Sequence, residues 1–263
     1  MLGLARFSLE ECGDMYRHFG SDVFRQIPLV GTVKMGWCHS YYSTETWEMI
    51  LREKMGDKML IKTARDELSP KVSAVSAVVN WGNSPKAFIF RNYNHIWDQM
   101  WEAVRASSAA PGYFQEFPLH GDIHQYHCIL NGLCAPAVHE SRLLWPNQPY
   151  KCVLSLGTGC YDNATRSPGT STSLWARINH MISINLETEW VYNLLDDLLA
   201  PNVYFRFNPM LSTEVPLDES SVRAMEQLQN DTQLYLDRNK SKMESCVMTE
   251  SKTKIQKITL YDF

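Results

Sequence analysis

The chain has 263 residues, with 44% hydrophobic and 21% charged side chains and a formal net charge of −4. A polypeptide of this size can bury a substantial core in one domain, and the mild negative charge argues against nucleic acid as a partner. The sequence contains no apolar run of the roughly 20 residues that would cross a bilayer, so we expect no transmembrane segment.

Two helices are predicted near the start of the chain. In residues 8–24 apolar side chains recur every three or four positions, and Ser8 with Glu11 matches the capping box of a helix N-terminus. A second amphipathic segment, residues 46–55, ends before Gly56, and glycine commonly stops helices.

Strand patterns follow these helices. Residues 71–80 alternate valine with small side chains, residues 86–93 form a compact apolar run, and WGNSP between them has the composition of a turn. Residues 151–159 have the pattern of a buried strand that ends in a glycine-containing loop. In α/β proteins such loops carry binding and catalytic residues.

A core-facing helix is predicted between these strands, in residues 97–114. Apolar side chains lie at i, i+3, i+4 and i+7 counted from Trp97, residues 106–110 are all small, and Pro111 ends the helix. The small side chains would let another backbone approach closely.

The C-terminal part of the chain has a different character. A strand is predicted at NVYFRFNP, residues 202–209, and a helix at residues 219–236. We expect residues 1–240 to form one domain, and the polar residues 241–263 to form a frayed or disordered tail. The order of elements predicts an α/β fold with mixed or parallel strands and flanking helices.

Seven cysteines are scattered along the chain without a CxxC pair. An odd number with this spacing is typical of reduced thiols in an intracellular compartment rather than of a disulfide scaffold. The opening MLGLARFSLEEC is too short and too quickly charged to be a secretory signal. The sequence therefore predicts an intracellular protein, either cytoplasmic or peripheral on an organelle membrane.

The stretch GDIHQYHCILNG, residues 121–132, concentrates side chains that bind metals. Asp122, His124, His127 and Cys128 lie within seven positions, and imidazole and thiolate are preferred zinc ligands. Their spacing matches no zinc signature, however, and no second pair is placed to complete a tetrahedron. We therefore predict loop histidines and a buried thiol here, with no metal and no other cofactor.

Familiar hydrolase motifs are incomplete in this sequence. The pair His139 and Glu140 would begin the zinc-protease motif HExxH, but Leu143 stands where the second histidine is needed. Ser107 and Ser108 lie among small residues with no base nearby in sequence, a context that favours helix packing over nucleophilic catalysis.

Two glycine-containing stretches are also weak as motifs. No G-x-S-x-G occurs in the 263 residues, and its nearest match, residues 82–86, lacks the second glycine. The run Gly157, Thr158 and Gly159 is too short for a dinucleotide or P-loop fingerprint. As a loop after a strand, this run is a candidate lining of a pocket.

Several segments together resemble the patatin-like phospholipase family, in particular its gamma-type, calcium-independent phospholipase A branch. They are RASSAAPGYF, then HQ, AVHE, LLWP and VLSLGTG, with support in the same order from VGTVKMGW, KVSAVSAVVN, KAFIFRNY, YFRFNP and PLDES. The resemblance covers residues 1–245. It implies a three-layer α/β domain with a mostly parallel sheet. It also implies a lipid acyl hydrolase that acts on phospholipid at a membrane surface without calcium, as a peripheral protein.

The family resemblance implies a three-part catalytic site. A glycine-rich loop near the domain start supplies N–H donors to the oxyanion, a G-x-S-x-G serine attacks the ester, and an aspartate in an Asp-Gly-Gly or Asp-Gly-Ala motif is its base. The chemistry requires all three parts, because an unactivated serine is a poor nucleophile and the tetrahedral intermediate carries charge.

This chain departs from the family pattern in three places. Met1 to Leu4 resembles a helix that follows the nucleophile, so we expect the serine, the glycine-rich loop and central parallel strands to precede Met1. After HQ, Tyr126 stands in the place of the dyad aspartate, followed by His127 and Cys128. The segment RNYNHIWDQMWEA is shorter than its counterparts.

The site expected from the resemblance is therefore catalytically incomplete. We expect no catalytic residue in this chain, with Tyr126, His127 and Cys128 as the altered dyad segment. Asp122 could replace the base only if a serine were present for it to activate. The residues expected to line the pocket are Ser107, Ser108, Pro111, Gly112, Gly157, Thr158 and Gly159.

Three hypotheses follow from these residues. The chain is a fragment or mis-assembled form of an active lipid acyl hydrolase, a pseudoenzyme that binds lipid or protein, or a small metal-binding protein. The first predicts that a full transcript encodes the three missing parts, whereas the third predicts zinc bound by His127 and Cys128. If central strands are absent, their neighbours have unpaired edges, and we expect the chain alone to be poorly soluble or partly unfolded.

Overall fold

The computed structural model describes residues 3–4, 7–65, 69–94, 98–126, 134–161, 189–251 and 258–260. The chain divides into two compact units. The N-terminal unit contains the described residues up to 126 together with residues 258–260, and the C-terminal unit contains residues 134–161 and 189–251.

Five described helices belong to the N-terminal unit: α1 Leu9–Val23, α2 Pro28–Cys38, α3 Thr44–Met55, the short α4 Leu60–Thr63, and α5 Met100–Ser107. The capping box predicted for α1 is confirmed, since the Glu11 N–H donates to Ser8 Oγ at 3.1 Å and the Ser8 N–H donates to Glu11 Oε2 at 2.7 Å. Gly56 follows the last residue of α3, as predicted.

The main sheet also lies in the N-terminal unit. Its strands are β1 Lys71–Val78, β2 Lys86–Arg91, β3 Phe117–Leu119, β4 Asp122–Gln125 and β7 Ile258–Leu260. The order is β2-β1-β4-β3, with β7 paired to β1. In the register of the central pair, Ala74 lies opposite Phe90 and Val78 opposite Lys86.

The expectation of a mostly parallel sheet is not confirmed among these strands. The pairs β1–β2, β1–β4 and β3–β4 are antiparallel, and β7 alone runs parallel to β1. For β1–β2 and β3–β4 the physical reason is the short connection, because parallel neighbours require a crossover of a dozen or more residues. His120 and Gly121 alone connect β3 to β4, and both have positive φ, as in the tight turns that favour hairpins.

The core of the N-terminal unit lies where α3, α4 and α5 pack on the sheet. Buried side chains from these elements form one cluster, which includes Leu51, Leu60, Phe90, Met100, Trp101 and Phe117. Full burial of one such side chain stabilises the fold by about 1.5–3 kcal/mol. This cluster confirms that the predicted helix faces the core, although α5 itself ends at Ser107.

The C-terminal unit combines four described helices with a two-stranded sheet. The helices are α6 Cys134–Leu144, α7 Glu189–Leu198, α8 Val222–Arg238 and α9 Lys240–Ser251, and the strands are β5 Val153–Leu156 and β6 Tyr204–Phe207. The two strands are parallel, with Val153 opposite Tyr204 and Leu156 opposite Phe207.

The residues after Asn239 contain more structure than the expected frayed tail. Residues Lys240–Ser251 form α9, and Cys246 of this helix is buried against Phe205 and Phe207 of β6. This burial gives the helix an apolar contact that its polar, lysine-dotted sequence does not suggest.

Candidate functional site

The stretch of small residues at the end of α5 forms the densest part of the candidate site. Ala106, Ser107, Ala109 and Ala110 are all buried. Beyond the helix the chain turns tightly, since the Ala110 N–H donates to Ser108 O at 2.8 Å. Side chains this small allow the neighbouring strand β4 to approach, as the sequence predicts.

The hydroxyl of Ser108 is hydrogen-bonded to two groups, and neither of them is an acid or a base. Trp47 Nε1 donates to Ser108 Oγ at 2.8 Å, and the hydroxyl donates weakly to Arg105 O at 3.3 Å. A nucleophilic serine needs a base within hydrogen-bond reach. The arrangement instead joins α3 to the end of α5.

Pro111 and Gly112 form a turn that binds another part of the backbone. Gly112 has φ of +80°, which favours glycine. Its carbonyl accepts from the Tyr41 N–H at 2.8 Å, and Ser40 forms a parallel bridge with Gly112. Both residues therefore lie at a junction between segments of the N-terminal unit.

Tyr126 is the one member of the predicted altered dyad that lies within the described residues. Its N–H donates to Ala109 O at 2.9 Å, which joins the end of β4 to the small-residue stretch after α5. His127 and Cys128 lie outside the described residues. The structure thus brings Tyr126 together with Ser107, Ser108, Pro111 and Gly112 in one region of the N-terminal unit.

His124 is a buried strand residue rather than the loop histidine that the sequence suggested. Only 1% of its surface is exposed, and its Nδ1 lies 2.8 Å from the hydroxyl of Ser76, which is fully buried. The rings of Phe88 and Phe90 pack beside the imidazole, with centroids 5.1 and 5.4 Å away. Burial lowers the pKa of His124 from its usual value.

A serine–histidine pair of this kind resembles a nucleophile and its base, but its location does not suit catalysis. Ser76 has no exposed surface, so an ester could not reach its oxygen without unfolding the sheet. The pair satisfies two buried polar groups between β1 and β4. The loop histidine prediction fails because DIHQ continues a hairpin whose turn is His120 and Gly121.

The carboxylate of Asp122, the candidate substitute base, accepts a hydrogen bond from a tryptophan indole. Trp81 Nε1 donates to Asp122 Oδ1 at 2.7 Å. Among the residues that the structure describes, no group of three or more histidine, cysteine, aspartate or glutamate side chains is arranged to hold a metal ion.

Arg105 is an organising residue that the sequence did not single out. Its side chain is fully buried, Nε donates to Glu48 Oε1 at 3.1 Å, and Nη2 donates to Gln115 O at 2.7 Å. The guanidinium also lies 5.2 Å from the Phe117 ring centroid. Local sequence gives no signal for this role, because Glu48 is 57 positions away.

The remaining predicted pocket residues, Gly157, Thr158 and Gly159, lie in the C-terminal unit after β5. The Gly159 N–H donates to Asn208 Oδ1 at 3.0 Å, and Gly159 has φ of +111°. A Cβ on Gly157 would lie 2.3 Å from the same Asn208 oxygen. The loop therefore favours glycine at both positions.

A polar cluster supports this loop from β5. Ser155 Oγ accepts from Cys134 Sγ at 3.0 Å and from Arg206 Nη1 at 3.0 Å. Burial raises the pKa of the neighbouring Tyr204 hydroxyl. No local sequence pattern indicates this cluster, since its members come from three separate segments.

A small apolar cavity lies between α5 and the sheet of the N-terminal unit. Its volume is about 40 Å³, so it holds little more than a water-sized group. It is lined by residues other than those predicted for the pocket, among them Leu60, Val72, Ser73, Phe90, Met100 and Val104. Ser73 Oγ is buried there without a hydrogen-bond partner among the described residues.

Comparison with known proteins connects the chain to phospholipases. No protein-family model matches it. Calcium-independent phospholipase A2-gamma of Rattus norvegicus is 47% identical over 273 residues, which cover 98% of this chain and 35% of the relative. The protein of the same name from Oryctolagus cuniculus is 46% identical over 272 residues, again 98% of this chain and 35% of the relative. The chain thus spans about a third of the length of these relatives.

A more distant relative extends the connection. Phospholipase A I of Arabidopsis thaliana is 26% identical over 278 residues, which cover 80% of this chain and 21% of the relative. Within the described part of the chain, the helices are all too short or too polar to cross a membrane. Over 98% of its length the chain is therefore similar to a segment of calcium-independent phospholipase A2-gamma, which confirms the family resemblance seen in the sequence.

Proposed function

We propose that this chain supplies scaffold and lipid-contacting surfaces of a lipid acyl hydrolase that acts on membrane phospholipids, and that these 263 residues alone do not cleave esters. The observation that carries this proposal is Tyr126, which stands after HQ where the family resemblance places the dyad aspartate. Its backbone N–H donates to Ala109 O, so Tyr126 follows β4 directly beside the small-residue stretch.

A tyrosine cannot replace the aspartate as a base. A phenol is protonated at neutral pH, whereas a general base must accept the proton of the attacking serine. Ser108 offers no alternative nucleophile, because its hydroxyl is bonded to Trp47 and to the carbonyl of Arg105. The chain also contains no G-x-S-x-G.

The pseudoenzyme hypothesis remains a second candidate, in which the chain binds lipid without hydrolysing it. The exposed apolar side chains of α2, notably Leu29 and Trp37, favour this candidate. Binding requires apolar contact with lipid but no nucleophile. Both candidates share the expectation that this chain has no acyl-enzyme chemistry of its own.

Labelling by a fluorophosphonate probe tests the proposal. The purified 263-residue chain is incubated with the probe and, separately, with phosphatidylcholine vesicles, and we expect neither a covalent adduct nor released fatty acid. Rat calcium-independent phospholipase A2-gamma, assayed in parallel, is the positive control. An adduct on this chain that a Ser108→Ala variant abolishes would contradict the proposal, and so would any serine-dependent fatty acid release.

A further inference from the structure

Helix α2 presents an apolar face to the outside of the N-terminal unit. Leu29, Val33 and Trp37 follow one another at intervals of four residues and therefore lie on one side of the helix. Their exposed fractions are 76%, 56% and 85%. Val30 lies beside this row of side chains, with 42% of its area exposed, and Ile27 at the N-cap is 66% exposed. Contiguous exposed apolar side chains of this kind mark an interaction site.

The opposite side of α2 is fixed to the unit, so the apolar face is held outward. Gly31 is buried, and an added Cβ there would lie 2.5 Å from the Tyr41 ring, which shows how closely the helix packs. The segment before the helix is fixed as well, because Gln26 Nε2 donates to Tyr41 O at 2.8 Å.

The charge around this face suits an anionic surface. Residues 23–44 contain no aspartate or glutamate, although the whole chain has 29 acidic residues, and they include the cations Arg25 and Lys34. Arg25 is exposed. Half-buried Lys34 lies near enough to Glu45 to help lower the pKa of that carboxyl, after hydrogen bonds from its own backbone and from Ser43.

We propose that α2 docks on a phospholipid membrane containing anionic lipid, with Leu29, Val33 and Trp37 inserted below the headgroups and Arg25 against the lipid phosphates. This inference rests on the proposed action on membrane phospholipids. An 11-residue helix is about 16 Å long, roughly half of the hydrocarbon thickness, so α2 lies along the interface instead of crossing it. Tryptophan favours that interface.

Vesicle flotation with diether lipids tests this docking, because ether-linked chains cannot be hydrolysed and binding is then measured without turnover. The double variant Leu29→Gln, Trp37→Gln is compared with Val222→Gln, which removes a side chain 74% exposed in the C-terminal unit. On vesicles of phosphatidylcholine with phosphatidylserine, we expect the double variant to bind at least about tenfold more weakly and the control to bind normally.

A charge variant separates the electrostatic contribution to membrane binding from the apolar contribution. Arg25→Gln is expected to weaken binding to phosphatidylserine-containing vesicles and to leave binding to pure phosphatidylcholine unchanged. Circular dichroism of each variant must match that of the original chain, which is expected since every substituted side chain is exposed.

Equal binding by the double variant and the control would overturn the proposal. A shift of the double variant from dimer to monomer in light scattering, with vesicle binding unchanged, would instead assign the face to a second copy. Neither result depends on whether the protein hydrolyses esters.

Discussion

At the scale of single residues, the pair formed by Ser76 and His124 shows how burial determines the chemistry of a side chain. Both residues are buried, and the imidazole is surrounded by Phe88 and Phe90. Burial lowers the pKa of His124, the nearby charge of Asp122 raises it, and His120 lowers it further, with burial the largest of the three effects. The lowered pKa favours the neutral imidazole, whose Nδ1 shares one hydrogen bond with the Ser76 hydroxyl.

This lowered pKa predicts that acid destabilises the folded chain. The unfolded state binds a proton at His124 below about pH 6.5, whereas the folded state binds it only at a lower pH, so the stabilisation is complete above about pH 6.5 and is lost as the pH falls. In urea unfolding between pH 8 and pH 5, followed by tryptophan fluorescence at low protein concentration, we expect His124→Gln to reduce this dependence. The reduction should be at most about 1.4 kcal/mol per pH unit.

The control for this prediction is His18→Gln. His18 has a side chain that is 71% exposed and lies 3.5 Å from Asp22 at the surface, and an exposed pair of this kind contributes little to stability. Burial raises the pKa of Asp98, and its contact with His120 opposes this rise. A raised carboxyl pKa makes the folded state bind the proton more readily than the unfolded state, so at lower pH Asp98 changes the stability with the sign opposite to that of His124. Because Asp98 is present in both proteins, comparing His124→Gln with the original chain cancels its contribution. Parallel curves for all three proteins would show that His124 does not titrate on unfolding.

A residue's role could be predicted from the sequence only where its hydrogen-bond partners are close to it in the chain. Ser8 and Glu11 were identified because a capping box is a local pattern. Arg105 was not, because its acceptors belong to Glu48 and Gln115 in other segments, and no local pattern encodes a buried guanidinium. The family resemblance identifies Tyr126, whereas its bond to Ala109 depends on the fold, because the two residues are distant in sequence.

At the scale of elements, helices with strong apolar periodicity were predicted from the sequence, whereas an almost wholly apolar helix was not. The helices α1 and α3 were predicted because their polar and apolar faces differ. Helix α2 was not predicted, because its own residues are mostly apolar without a clear polar face and include two glycines. Pro28 at its first turn was the available signal, because proline is favoured at that position. The hairpin of β3 and β4 was missed for a different reason, since its strands have only three and four residues.

The loop after β5 gives a prediction at this scale. Replacing Gly157 by alanine places a methyl group against Asn208, whose Oδ1 is already held by the Gly159 N–H at 3.0 Å. We expect Gly157→Ala to lower the free energy of unfolding by about 1–3 kcal/mol, as measured by urea unfolding. In an Asn208→Ala background the same substitution should cost less, because the clashing oxygen is gone.

Gly13→Ala is the matched control for this substitution. Gly13 lies within α1, and an added Cβ would meet nothing within 4 Å. Alanine should therefore stabilise the helix by about 0.5–1 kcal/mol. If Gly157→Ala were as harmless as this control, the loop would have to tolerate displacement of Asn208.

At the scale of the whole molecule, the amount of exposed apolar surface is the dominant feature. Strand β5 pairs with β6, and no other described strand pairs with it. Its Leu154 and Leu156 point to the same side, with 51% and 69% of their area exposed. Parallel strands are normally covered on both faces, and an apolar strand without a second neighbour is a site for association.

We therefore expect the isolated chain to self-associate through β5 as its concentration rises. The double variant Leu154→Lys, Leu156→Lys should reduce the associated fraction in sedimentation velocity, because like charges repel and polar side chains remove the apolar contact. Leu198→Lys, at a position 70% exposed on α7, is the control and should leave association unchanged. The two substitutions on β5 lie on the solvent side of the strand, so the folded unit should keep its stability. A wild-type chain that stays monomeric at all concentrations and unfolds in one cooperative transition would show that these leucines do not drive association.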